Sequence, residues 1–159
     1  MLVNQTPMNS AQKCITRHEV SLIQLLAPQE TVHDLNKYEK KVFDLVRKEL
    51  KDEYVPEEYR GKVNSSYCGH CHHATIALYN LLGGKENGYK VRKAVDELGI
   101  KHYWLENKDG EIIDPTGEQY TDLDRTPPYA NKVNRGVSYR RTKAANEIID
   151  NVNSKLHQG

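Results

Sequence analysis

The segment from Cys71 to Leu82 constrains the fold of this chain more than any other part of its sequence. Its apolar residues recur at spacings of three and four, the period of one face of an α-helix. Gly83-Gly84 follows, at the place where a helix is expected to end. Cys71 therefore lies in the first turn of a predicted helix with a buried apolar face, formed by Cys71, Ala74, Leu78, Leu81 and Leu82.

Two other segments show the helical period. The first runs from Thr31 to Lys51, with Asp34 as its expected N-cap, and its apolar face comprises Leu35, Tyr38, Val42, Leu45, Val46 and Leu50. The second runs from Thr142 to Leu156, with a face formed by Ala144, Ala145, Ile148, Ile149, Val152 and Leu156.

The residues between the Cys71 helix and the helical segment that begins at Thr142 favour strands. Tyr89–Val95 and Ile100–Glu106 are predicted strands, although the first also fits a helical period. A hairpin turn at Asn107–Gly110 leads to a short strand, Glu111–Asp114, which Pro115 ends. Residues 117–138 are rich in Gly, Pro, Asp and Asn and are expected to be irregular. Helices, then strands, then a helix predict an α+β fold, with the Cys71 helix packed on a small antiparallel sheet and flanking helices at both ends.

The length of the chain indicates a single domain, and its net charge bears on the kind of partner it binds. The 159 residues suit one domain, predicted at 31–159 after a partly mobile N-terminal segment at 1–30. Lysine and arginine number 23 against 22 acidic residues, a net charge of +1. Because this balance gives no large basic field, nucleic acid is an unlikely partner.

The sequence also indicates a compartment. It has no apolar run of the roughly 18 residues that span a bilayer, and its N-terminus lacks the pattern of a signal peptide. Its three cysteines do not form a disulfide framework. We therefore expect a cytoplasmic protein with no membrane partner.

Three polar residues together suggest acyl-transfer chemistry. Cys71 at a helix start benefits from the positive end of the helix dipole, which favours the reactive thiolate. If residues 108–110 form the hairpin loop, Trp104 pairs with Asp114, and His102 shares a face with both. Asp114 then lies diagonally from His102, roughly 7–8 Å away, within reach of side chains. A register shifted by one residue would separate them.

Several of these motifs carry a resemblance. Gly69-His70-Cys71, Leu81-Leu82-Gly83-Gly84, His102-Tyr103-Trp104 and Ile113-Asp114-Pro115-Thr116 resemble the YunG-like proteins and a family of uncharacterised phage proteins, over about residues 67–120. The order of Cys, His and Asp also looks like the papain- and transglutaminase-like group, including lasso-peptide leader peptidases and arylamine N-acetyltransferases.

The resemblance implies a papain/transglutaminase-like fold in which Cys71 is the nucleophile, His102 the base and Asp114 the residue that orients it. Many papain-like enzymes have a glutamine shortly before the cysteine that helps to bind the oxyanion. Here His70 precedes Cys71, so His70 and Trp104 are the expected oxyanion or wall residues. No cofactor is implied.

The same residues also fit three different roles. Cys68-Gly69-His70-Cys71-His72 matches the haem-attachment pattern C-x-x-C-H, but haem attachment occurs outside the cytosol. Cys68 and Cys71 also have the spacing of zinc ligands, with His70 and His72 available to complete a site. In the third role, Cys71 is a small buried apolar residue. His102 would then be a half-buried strand histidine bonded to the backbone, and Asp114 a turn or capping residue before Pro115.

The sequence thus predicts a cysteine peptidase, amidase or amide-forming transferase. Its expected partner is a peptide or small amide substrate, or a host protein. A non-catalytic papain-like binding or inhibitory module and a zinc-stabilised domain are the alternatives.

Overall fold

An α+β architecture is present in the computed structural model of the chain, which describes residues 31–60, 67 and 69–158. Within these residues, four α-helices accompany one three-stranded antiparallel sheet. The helices are α1 (Lys37–Lys48), α2 (Cys71–Leu81), α3 (Glu118–Thr121) and α4 (Lys143–Leu156). The strands are β1 (Lys90–Val95), β2 (Lys101–Glu106) and β3 (Ile112–Ile113). The predicted N-terminal segment lies outside the described residues.

Helix α1 begins later than the sequence predicts, and Asp34 is not its N-cap. Asn36 is the cap, since its side chain accepts a hydrogen bond from the Glu39 N–H and the Glu39 carboxylate accepts one from the Asn36 N–H. This reciprocal pair is a capping box. The residues before it are held in an extended conformation, with Val32 bridged in parallel to Ile112 of β3.

Helix α2 is the central element of the fold. It packs against α1, α4 and β2, and its residues from His73 to Leu78 are all buried. Gly83 follows with a φ of 96°, a conformation that glycine adopts without strain. The predicted helix and its stop are confirmed, but burial covers more of the helix surface than one apolar face.

The predicted strand order and hairpin register are confirmed. Ala94 pairs with His102 across β1 and β2, and Leu105 pairs with Ile113 across β2 and β3. Asn107 donates its N–H to the Glu111 carbonyl, which closes the predicted hairpin. The third strand is shorter than expected and ends before Asp114.

Alternation along β2 divides the core between the two faces of the sheet. Tyr103 and Leu105 join the large cluster formed with α1, α2 and α4, while Trp104 joins a smaller cluster with Ala94 and Ile112. Successive strand residues point to opposite faces. His102 therefore lies on the Trp104 side.

The region from 117 to 138 is not wholly irregular. Glu118–Thr121 forms the short helix α3, and Tyr129–Asn131 forms a 3₁₀ turn. No helix among the described residues has the length and apolar character needed to cross a membrane.

A histidine ties the extended residues before α1 to the hairpin. The His33 ring lies 2.8 Å from Glu39 through Nε2 and 3.0 Å from Glu111 through Nδ1. Burial lowers the His33 pKa, but the two carboxylates outweigh it and the net shift is upward. The pKa of Glu39 is lowered: burial raises it, but hydrogen bonds from Tyr89, Asn36 and His33 outweigh burial.

We predict that His33→Gln destabilises the protein more at pH 6 than at pH 9. The folded-state pKa of His33 is raised above its unfolded pKa of 6.5. The contribution of protonated His33 to the free energy of unfolding is therefore complete below pH 6.5 and declines as the pH rises through the folded-state pKa. Urea unfolding at both pH values measures the difference, with the exposed His157→Gln as control. A constant difference would contradict the charge contribution.

Candidate active site

The start of α2 places Cys71 beside the first residue of β2. The Cys71 sulfur lies 3.7 Å from the Lys101 carbonyl oxygen, and the side chain is partly exposed. The first N–H groups of a helix have no acceptor within the helix. The sulfur is therefore accessible and lies near backbone donors at the positive end of the helix dipole.

His102 and Asp114 form a buried pair. The distance from His102 Nε2 to Asp114 Oδ2 is 2.7 Å, and their side chains are 0% and 5% exposed. Asp114 Oδ1 accepts the Thr116 N–H at 3.0 Å, and Oδ2 also accepts the Tyr129 hydroxyl at 2.7 Å. The predicted contact between histidine and aspartate is present, and three donors fix the carboxylate.

The Asp114 contact determines which ring nitrogen faces the cysteine. Nε2 donates to the carboxylate, while Nδ1 is buried with no hydrogen-bond partner among the described residues. The Cys71 thiol also interacts with this ring. Since Asp114 occupies Nε2, Nδ1 is the nitrogen left to exchange a proton with the sulfur.

The environment of His102 favours its charged form. Burial alone lowers the His102 pKa, but the charge and the hydrogen bond of Asp114, and then the neighbouring Cys71, outweigh burial and raise the pKa to about 10. A neighbouring carboxylate stabilises an imidazolium in this way. The ring is therefore positively charged at neutral pH.

Aromatic rings enclose the imidazole. Trp104 stacks on it with ring centres 5.8 Å apart, and Tyr120 meets it edge-on at 4.9 Å. The Tyr120 hydroxyl donates to the buried Asp96 at 2.8 Å, which fixes this ring in turn. The enclosure limits rotation of the imidazole.

A cavity of about 160 Å³ opens beside the sulfur. Its lining comprises Pro56, Gly69, Cys71, His72, Ile100, Lys101, Tyr103 and Gln119. From the sequence, Gln119 is at most a rim residue without assigned chemistry, because a four-residue helix leaves no periodic signal. The cavity is therefore partly formed by a residue that the sequence pattern does not single out.

The expected oxyanion or wall residues are positioned differently. His70 Nδ1 is 2.7 Å from His73 Nε2, and the two rings are buried together. Trp104 is fully buried behind His102 and does not line the cavity beside Cys71. Neither side chain lines the cavity beside Cys71, since each is engaged in the interior. His72 also lines the cavity.

Burial keeps this histidine pair neutral. The His73 pKa is lowered to about 3 by burial and by His70 and His72, and burial also lowers the pKa of His70, with partial opposition from Asp52. In the neutral pair one ring donates and the other accepts. The two rings therefore form a neutral hydrogen-bonded pair in the interior.

The zinc alternative involves Cys68, which lies outside the described residues. Within the part of the chain that the structure describes, no group of three or more His, Cys, Asp or Glu side chains is placed to hold a metal ion.

No protein-family model, curated protein or solved structure matches this chain. The resemblance to YunG-like and phage proteins therefore stays a prediction, and the site has to be interpreted from its own geometry.

We predict that Asp114→Asn lowers the His102 pKa, because burial of the ring remains while the carboxylate charge is lost. Proton NMR titration of the His102 ring measures the shift. Asp96→Asn is the matched control, since Asp96 is a buried carboxylate bonded to Tyr120 and not to His102. A His102 pKa that stays at about 10 in Asp114→Asn would contradict this cause.

We also predict that Gly69→Ala destabilises the protein more than Gly99→Ala. Both glycines have positive φ, 84° and 79°, but a Cβ at Gly69 would lie 2.6 Å from Val55 Cγ1 and one at Gly99 meets nothing within 4 Å. Overpacking against Val55 should lower the free energy of unfolding of Gly69→Ala by about 1–3 kcal/mol more than that of Gly99→Ala. Urea unfolding compares the variants, and equal losses would rule out the Val55 contact as the cause.

Proposed function

We propose that this protein is an enzyme with a cysteine nucleophile that transfers acyl groups, acting as a peptidase, amidase or amide-forming transferase. The observation that carries the proposal is the His102 ring, which bonds a buried carboxylate through Nε2 and leaves Nδ1 for a sulfur at a helix start. A nucleophile, a base and an orienting group in this order are the parts that thiol acyl transfer requires. A papain/transglutaminase-like architecture is part of the same proposal.

The reaction proceeds in two steps. The Cys71 thiolate, paired with the protonated His102, attacks the carbonyl carbon of an amide or ester, so that the π electron pair moves to oxygen. Collapse of this adduct breaks the bond to the leaving group, which takes the His102 proton. A thioester on Cys71 remains. Water or an amine then gives up a proton to His102 and attacks the thioester, which releases the product and the Cys71 thiolate beside the protonated ring.

Three features support these roles. The sulfur is partly exposed at a cavity, while the imidazole is fully buried and held by aromatic rings and by Asp114. A ring that is charged at neutral pH stabilises a thiolate beside it and supplies the proton that an amine leaving group needs. Asp114 fixes the tautomer, as a carboxylate does in known triads.

The cavity fits the acyl part of a small amide or a peptide side chain. Its walls include Pro56, Ile100, Lys101 and Tyr103. We propose a peptide or a small amide as substrate, and a cytoplasmic location with its reducing conditions for the thiol.

We expect iodoacetamide to alkylate Cys71 at pH 6 at least about tenfold faster than it alkylates a free model thiol, because His102 stabilises the thiolate. Mass-spectrometric mapping measures the rate at each cysteine. His102→Ala should reduce the Cys71 rate to that of the model thiol, whereas the exposed control His157→Ala should leave it unchanged.

Alkylation of Cys71 at the model-thiol rate across pH 6–9 would contradict an activated nucleophile. In that case the fold would serve a non-catalytic role, as a binding or inhibitory module.

A further inference from the structure

Gln119 is a buried amide on the wall of the cavity that contains the Cys71 sulfur. It is 7% exposed, and its Oε1 is buried with no hydrogen-bond partner among the described residues. Both Gln119 and Cys71 line this cavity. A polar side chain is therefore held at the reaction space without a protein partner for its carbonyl.

A buried amide without a partner is costly. Leaving a buried donor or acceptor unpaired costs about 1–3 kcal/mol, and folded proteins pair most such groups. An amide side chain carries two N–H donors and one acceptor. Replacement of Gln119 by an apolar residue of similar size would remove this cost, so packing alone does not explain the amide. The unpaired carbonyl is an acceptor and cannot bind an anion, so a role toward a developing negative charge belongs to the two side-chain N–H donors.

The neighbours of Gln119 hold it in place. The backbone N–H of Gln119 donates to the Thr116 carbonyl at 3.0 Å. Glu118, on one side, accepts the Arg47 guanidinium of α1 at 2.8 Å, and Tyr120, on the other, donates to Asp96 at 2.8 Å. Because both flanking side chains are anchored to other elements, the backbone that carries the amide is fixed before a substrate arrives. Fixed donors stabilise developing charge better than mobile ones do.

We infer that Gln119 is a catalytic residue whose side-chain N–H donates to the oxyanion formed when Cys71 attacks a carbonyl. This inference rests on the proposed acyl-transfer function and deepens it. The negative oxygen of the adduct forms beside the sulfur, in the cavity that both side chains line. Backbone N–H groups at the start of α2 supply the other donors. The chain thus places a side-chain donor on α3, well after the nucleophile in sequence, rather than before it.

The test compares two reactions of the same sulfur. Acylation by p-nitrophenyl acetate forms an S–C bond at the carbonyl carbon, places a negative charge on its oxygen and expels p-nitrophenolate. Alkylation by iodoacetamide displaces iodide from a saturated carbon and forms no oxyanion. Loss of an oxyanion donor should therefore slow acylation and leave alkylation unchanged.

We expect Gln119→Ala to slow acylation of Cys71 by about 100-fold, while the alkylation rate at the same pH stays within twofold of the wild type. Gln119→Glu, which keeps the shape but lacks the N–H and adds a negative charge, should be slower still in acylation. The exposed Gln158→Ala is the control and should change neither rate. Thermal unfolding of each variant checks that the fold is kept.

Unchanged acylation in Gln119→Ala would overturn the inference. Equal slowing of acylation and alkylation would also overturn it, since the residue would then act on the thiol or the fold and not on the oxyanion. If wild-type Cys71 is not alkylated faster than a free model thiol, the proposed function fails first, and the inference fails with it. The alkylation rate of the wild type thus separates the two failures.

Discussion

The hydrogen bond between His102 and Asp114 is the interaction on which the site depends. It joins β2 to the residue that follows β3 in an environment almost without water, where its two partners are 0% and 5% exposed. Removing one member of a buried ionic pair leaves an uncompensated charge, at a cost of about 3–5 kcal/mol. The pair is therefore tied to the register of the hairpin, because a slip of one residue would carry Asp114 to the other face of the sheet.

Tyrosine is the residue that lets this chain build a core despite its polar composition. The chain has ten Tyr and one Phe, and four of the tyrosines each donate a hydroxyl to a carboxylate. These pairs are Tyr54 with Glu147, Tyr89 with Glu39, Tyr120 with Asp96 and Tyr129 with Asp114. Burial, and then the carboxylate, raises the pKa of each, so all four stay protonated donors at neutral pH. The rings supply apolar area while the hydroxyls satisfy buried acids.

The parts of the fold that the sequence could predict are those with a period or a strong turn. The Cys71 helix is bounded by Gly83, and the hairpin register follows from one loop length, which together bring His102 to Asp114. The start of α1 could not be predicted in the same way. Asp34 and Asn36 are both good caps by residue type, and the choice depends on the reciprocal bond with Glu39 and on the pairing of Val32 with β3.

The cavity wall could not be predicted from the sequence for a related reason. Gln119 lies on a four-residue helix, too short to show a period, and its place beside Cys71 depends on contacts distant in the chain, through Arg47 to Glu118 and Asp96 to Tyr120. The inward turn of His70 could not be predicted either, since it depends on His73 being buried one turn later. Side chains that line a site through tertiary contacts leave no local pattern.

The burial of His102 controls where its ring can exchange a proton. His102 is shielded from water, and Nε2 is occupied by Asp114, so its proton exchange is confined to Nδ1 and to the groups that reach it from the side of the sulfur. In the proposed role, the ring keeps its proton until a leaving group in the cavity accepts it. Because water cannot reach the ring, it cannot remove the ring proton before the leaving group accepts it. The enclosure by Trp104 and Tyr120 therefore serves the chemistry as well as the fold: it keeps the imidazolium beside the sulfur through the attack and directs its proton to the leaving group.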